Sequence, residues 1–170
     1  MKKGIRCFLL IILFVFGAST LYAQGPIALE PAENVIGLKA KNFTLISLSG
    51  KSVKYSDVIK EGDKAIIFFW ATWCPHCRKA LDELNQDQEL YHQKGIKLVI
   101  IDVGDKADLV QQYVEEQKIN FDVLLDQDYQ LVLSYGFTGV PAFVFIGADG
   151  IVKDARNDFP EDYEKILEKN

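Results

Sequence analysis

Cysteine is scarce in this chain. Three occur in 170 residues, and Cys7 lies at the head of an apolar run near the N-terminus. The rest of the chain holds one pair, Cys74 and Cys77, and no spare thiol. A scaffold of this size stapled by disulfides needs more cysteines than that. Histidine is scarcer still, with only His76 and His92 to join a thiolate in holding a soft metal ion. Basic charge is also short. The net charge is −5, and the first 23 residues carry Lys2, Lys3 and Arg6 with no acid, which leaves −8 on the remainder. An acidic body argues against nucleic acid and against an anionic membrane surface as partners. No internal repeat and no low-complexity tract is present, which excludes solenoids and arrays. The length fits one domain with a real core, and the 49 % apolar and 25 % charged contents are those of a globular protein.

The one long apolar run is Cys7 to Ala18, twelve residues behind the basic Met1 to Arg6. Residues 1–23 therefore read as a secretory signal. Extended to Ala23, the run reaches 17 residues, the lower limit of a membrane span, so a retained N-terminal anchor is the other reading. Cys7 precedes the run and serves there as a small apolar filler. Residues 24–35, with Pro26 and Pro31 and no periodicity, read as a linker. A single domain is expected over 36–170.

Within that domain the stretch Ala65 to Lys79, AIIFFWATWCPHCRK, organises the rest. Ala65 to Trp70 is a continuous apolar run, as in a buried parallel strand. A sharp turn follows, carrying Cys74-Pro75-His76-Cys77, and then a helix. Pro75 suits the first helical turn, where its missing N–H has no partner to lose. Two cysteines at this spacing can stand as a disulfide or a dithiol. Unpaired N–H groups and the helix dipole favour negative charge at Cys74. Such sites lower a cysteine pKa from about 8.5 into the range of roughly 3.5–7.5. His76 adds a donor or a positive charge beside that sulfur, which stabilises the reduced pair and makes the disulfide more oxidising. Cys77, one turn in, is expected to be the more buried, resolving thiol. Taken alone, a C-x-x-C is also compatible with half a zinc site, with a structural disulfide or with chance. Its place between a strand and a helix favours redox chemistry. A purely structural disulfide is uneconomical, since so short a loop holds little chain entropy to remove.

The remaining pattern gives a hairpin from Phe43–Leu48 and Ser52–Tyr55, and one turn of helix at Ser56–Lys60. The helix carrying the cysteines runs on through Leu81, Leu84 and Tyr91 to a stop at Gly95. A second buried strand spans Ile96–Val103. Asp105 then caps a helix over Lys106–Gln117, with Leu109, Val110, Tyr113 and Val114 inward. A short strand at Phe121–Leu125, a short helix at Tyr129–Tyr135 and a second hairpin from Ala142–Gly147 and Ile151–Ala155 follow. Pro160 opens a last helix to Lys169. Trp70 reads as core, His92 as solvated, and Trp73 as either a surface contact or a helix-packing residue.

The words Phe69-Trp70-Ala71-Thr72-Trp73-Cys74-Pro75-His76-Cys77 resemble the active-site signature of thioredoxin-fold thiol–disulfide oxidoreductases. Gly37 to Gly50, GLKAKNFTLISLSG, is similar to the opening of the TlpA/ResA-like branch. The resemblance runs from about Ile36 to Lys169. It implies an α/β fold, a thioredoxin-like three-layer α/β/α sandwich with an added N-terminal β-hairpin. It implies catalysis by the Cys74–Cys77 pair through a mixed disulfide at Cys74, with no metal and no organic cofactor. The partners implied are protein thiols or disulfides and a membrane redox protein, with the domain acting as a monomer on the periplasmic or outer side. By the same resemblance Pro141 is a cis-proline facing the cysteines. Trp73, Val140 and Pro141 then line the substrate groove. Cytochrome c maturation, repair of misoxidised surface proteins and reduction of one dedicated partner all fit.

The chain departs from its relatives at two places. Thioredoxins carry a buried aspartate six residues before the first cysteine, where this chain has Phe68. ResA-like reductants carry a glutamate three residues after the second, where it has Ala80. The Pro75-His76 pair and the Val140-Pro141-Ala142 stretch look more like DsbA-type oxidases. Yet the 37 residues from Gly104 to Val140 leave no room for the helical domain those enzymes insert. A potential above that of thioredoxin is expected. Two alternatives differ in class. A peroxidase on the same fold would need a threonine and an arginine around the thiol, and Thr72 sits only two residues before Cys74. A copper or zinc carrier would use Cys74, Cys77 and a histidine.

Overall fold

The computed structural model describes residues 35–169. The expected signal and nearly all of the expected linker lie outside that range. Seven strands form one mixed sheet: β1 Thr44–Ser47, β2 Ser52–Lys54, β3 Lys64–Trp70, β4 Ile96–Val103, β5 Leu124–Asp126, β6 Ala142–Ile146 and β7 Val152–Arg156. Their order across the sheet is β2-β1-β5-β4-β3-β6-β7. β3, β4 and β5 run parallel, β6 lies antiparallel to β3, and β7 antiparallel to β6. β1 pairs antiparallel with both β2 and β5.

β3 is central because it has no polar face. From Ala65 to Trp70 every residue is buried, as a strand with helices on both sides requires. Its even-numbered residues, Ile66, Phe68 and Trp70, pack into one core with Cys77, Leu81, Val110 and Ile166. Its odd-numbered residues, Ala65, Ile67 and Phe69, pack into a second core with Leu131, Val132 and Tyr135. The first core is covered by α2 Pro75–Gln86, α3 Gln88–Gln93, α4 Ala107–Gln117 and α6 Tyr163–Leu167. The second is covered by α5 Gln130–Ser134 and flanked by α1 Tyr55–Val58. The layers are helix, sheet, helix.

Four local expectations are corrected. The helix behind the cysteines is not continuous. It breaks at Asp87, whose ψ of 10° ends α2 and starts α3, although no glycine or proline marks the place. The last helix begins at Tyr163 rather than at Pro160, because residues 161–162 form a turn. Leu109 is 47 % exposed, while Val110 carries the inward face of α4. Asp105 does not cap that helix. Lys106 stands at the cap position with no side-chain hydrogen bond, and the Asp105 carboxylate is engaged elsewhere.

Candidate active site

The carboxyl ends of β3 and β4 and the start of β6 meet at one end of the sheet. In a parallel sheet this is where the chain leaves room for a site. β3 ends at Trp70, and Ala71 to Trp73 form the turn into α2. Cys74 is the N-cap of α2 and Pro75 its first residue. The Cys77 N–H donates to Cys74 Sγ at 3.2 Å. That N–H is one of the donors a helix N-terminus leaves without an internal partner. Cys74 and Cys77 are joined as a disulfide, with Cα atoms 5.2 Å apart. Cys74 is 4 % exposed and Cys77 0 %, so attack from outside reaches Cys74 first. Pro75 and His76 are exposed at the helix start.

The loop before β6 closes the site from the other side. The Val140–Pro141 peptide bond is cis. The Val140 carbonyl oxygen lies 3.7 Å from Cys74 Sγ. Asn157 Nδ2 donates to the Pro141 carbonyl at 2.6 Å and ties this loop to the residue after β7. Beside it opens an apolar cavity of about 110 Å³, lined by Trp73, Val103, Tyr129, Phe137 and Val140 among others. Trp73 is 67 % exposed, so it lies at the surface and is not a helix-packing residue. Tyr129, at φ 62°, lays its ring against Gly104, where φ is 82° and a Cβ would collide with that ring. Trp70 is fully buried, and its ring centroid lies 5.3 Å from that of Tyr113. His92 is exposed on α3, away from the helix start that carries the cysteines.

Two acids join the site that the sequence reading left out of it. Asp105 Oδ2 accepts from Thr72 N at 2.7 Å and from Thr72 Oγ1 at 2.9 Å. This pins the turn that delivers Cys74, whose own N–H donates to Ala71 O at 3.2 Å. The Thr72 hydroxyl is thereby directed at a carboxylate, not at the sulfur as a peroxidase threonine would be. Asp102, the penultimate residue of β4, is the register partner of Trp70. Its Oδ1 accepts from the Asp105 N–H at 3.2 Å. Burial, and then the nearby Asp105 charge, push its carboxyl group up to about 8. One signal was available in the sequence: Asp102 is the only acid inside the apolar run Ile96–Val103. An acid buried in a strand must be paired or neutral. Among the described residues no group of three or more histidine, cysteine or acidic side chains is placed to hold a metal ion.

The AhpC/TSA family matches residues 36–155 of this chain. The thiol-disulfide oxidoreductase ResA of Bacillus cereus is 29 % identical, over 99 % of this chain and 98 % of that protein. The ResA of Bacillus thuringiensis is 30 % identical over 89 % of this chain and 87 % of its own. A thiol:disulfide interchange protein of the thioredoxin family from Chlorobium tepidum, known from its crystal structure, is 26 % identical in sequence. It superposes with a TM-score of 0.65 over 76 % of this chain and 93 % of its own.

Proposed function

The chain belongs to the AhpC/TSA family and, with its ResA relatives, is a thiol–disulfide oxidoreductase; on that premise we propose that Cys74 is its nucleophile and Cys77 its resolving thiol. A substrate thiolate attacks Cys74 Sγ, the Cys74–Cys77 bond breaks, and Cys77 leaves with the electron pair and takes a proton. A second substrate thiolate then attacks the mixed disulfide and releases Cys74 as a thiolate. The substrate gains a disulfide, and two electrons come to rest on the dithiol. Run backwards, Cys74 attacks a substrate disulfide and Cys77 resolves the adduct. The observation that carries this assignment is the Cys77 N–H held 3.2 Å from Cys74 Sγ, which would stabilise a thiolate at Cys74 and not at Cys77.

Trp73, Val140 and Pro141 form the substrate groove in this reading. An extended polypeptide lies against the Val140 backbone and puts an apolar side chain into the adjoining cavity. His76, exposed beside Cys74, and the absence of a carboxylate at positions 68 and 80 favour the oxidising direction. The domain works outside the cytoplasm as a monomer and is recharged by a membrane redox protein. The basic start and apolar run of residues 1–23 support export, by a signal that is removed or kept as an anchor.

The test uses Cys77→Ser and Cys74→Ser with a polypeptide carrying one thiol pair. Cys77→Ser should accumulate a mixed disulfide at Cys74, seen by mass spectrometry, while Cys74→Ser should form none. The reverse pattern would overturn the assignment. Equilibration of the wild-type protein in graded glutathione buffers gives the direction. A potential above thioredoxin's, about −270 mV, is expected.

A further inference from the structure

Asp102 is a buried titratable group that the mechanism leaves unused. Residues of β4 alternate between the two cores. Ile96, Leu98 and Ile100 belong to the core that holds the cysteines. By that period of two, Asp102 points to the same side. It is 1 % exposed, and its Oδ2 has no hydrogen-bond partner. The indole Nε1 of Trp70, its neighbour across β3 and β4, is likewise buried without a partner. Leaving such groups unpaired costs free energy, so a carboxyl group here needs a reason.

Its hydrogen bonds point to one. Oδ1 receives the Asp105 N–H, and the Asp105 carboxylate receives the N–H and hydroxyl of Thr72, two residues before Cys74. Three hydrogen bonds thus join Asp102, through Asp105, to the turn that sets the nucleophile. The charged and titratable groups around it are few. Asp105 comes from the loop after β4, and the Cys74–Cys77 pair comes from α2. Tyr113 comes from α4 and stands against Trp70, with Arg78 and Asp82 of α2 beyond it. Tyr91 and Tyr163 share that face further off, in the aromatic group with Phe159.

We infer that Asp102 is a positioning residue for the exchange reaction: a buried carboxyl group whose hold on its proton tightens when the cysteine pair is reduced and loosens when the disulfide forms, and whose charge state reaches the Cys74 turn through Asp105 and Thr72. The inference rests on the exchange reading above. Reduction places a thiolate on the face that Asp102 shares. Two like charges on one face of the sheet disfavour each other, so Asp102 ionises at a higher pH once the thiolate is present. Formation of the disulfide removes that charge, and Asp102 ionises at a lower pH again. Electrons pass only between sulfurs. The direction of the Asp102 shift, toward the neutral acid, agrees with a group that changes state near neutral pH.

The experiment is a carboxyl-carbon NMR titration of Asp102 in the wild-type protein, oxidised and reduced, which needs no variant to fold. The expected result is a midpoint well above the usual carboxylate range and higher in the reduced than in the oxidised protein. A midpoint in the ordinary range, or one identical in both redox states, would overturn the inference. The second arm is the pH profile of disulfide exchange in Asp102→Asn, with its fold checked by circular dichroism. Loss of one inflection, with turnover retained at the optimum, supports the role. A profile that superposes on wild type refutes it. Failure of the exchange reading looks different, because wild-type protein would then show no turnover at any pH.

Discussion

Replacing Asp105 with alanine removes the two acceptor contacts that hold the turn before Cys74. The carboxylate receives Thr72 N at 2.7 Å and Thr72 Oγ1 at 2.9 Å, and Thr72 is itself buried. Hydrogen bonds to charged groups contribute about 1.5–3 kcal/mol each, and a buried donor left without a partner costs about 1–3 kcal/mol. Asp105 is half-buried, which puts each contact in the lower part of that range. The two share one carboxylate, so they do not add fully, and Asp105→Ala should cost about 3 kcal/mol. Thr72→Val removes the hydroxyl contact alone and should cost about 1–2 kcal/mol. In the double variant the threonine change should cost about 1 kcal/mol less than it does alone. The assay is urea unfolding of the four oxidised proteins, with the slope required to stay constant across them. A cost below about 0.5 kcal/mol for Asp105→Ala would place the contact among ordinary surface substitutions and refute the reasoning. So would a Thr72→Val cost that is the same with and without Asp105.

Two further predictions follow from burial. The Asp102 carboxyl group is pushed up to about 8 in the folded protein, from an ordinary value of 3.8. Between those values the unfolded chain has released the proton and the folded one still holds it. The stability contributed by Asp102 is therefore full below about pH 4, declines as pH rises, and is gone above about pH 8. Unfolding free energy measured across that range should fall with pH more steeply in wild type than in Asp102→Asn; parallel curves would contradict this. Trp73→Ala should leave stability within about 0.5 kcal/mol, because the side chain is largely exposed. It should raise KM for a polypeptide substrate while kcat stays near wild type, and an unchanged KM would remove Trp73 from the groove.

Much of this architecture is written in short-range pattern. The unbroken apolar run Ala65–Trp70, Pro75 at a helix start and the spacing of the cysteines each have a local cause, so the strand–turn–helix unit was legible. The break at Asp87 was not, since the apolar spacing continues across it from Leu84 to Tyr91. Asp105 reads as a helix cap in sequence because it stands just before a helical pattern. Only the folded chain brings it to Thr72, 33 residues away. Phe68 shows why one relative's carboxylate is missing. Its ring stacks on Phe143 with centroids 4.5 Å apart, and Phe143 in turn meets Phe159 edge-on at 5.3 Å. An aspartate in that stack would be a charge among aromatic rings. One strand over, the buried carboxyl group of Asp102 accepts the Asp105 N–H at 3.2 Å.

The chain has just two tryptophans, and the site divides them. Trp70 is sealed in the core against Tyr113, and Trp73 projects into solvent three residues later. The molecule therefore carries two optical probes on either side of its own surface, within a few residues of the disulfide. A soluble quencher reaches Trp73 alone, and a polypeptide docked in the proposed groove would shield it. Trp70 becomes open to a quencher only when the core opens. Recorded together, the two signals separate engagement of a substrate from loss of fold in one cuvette, with no label attached.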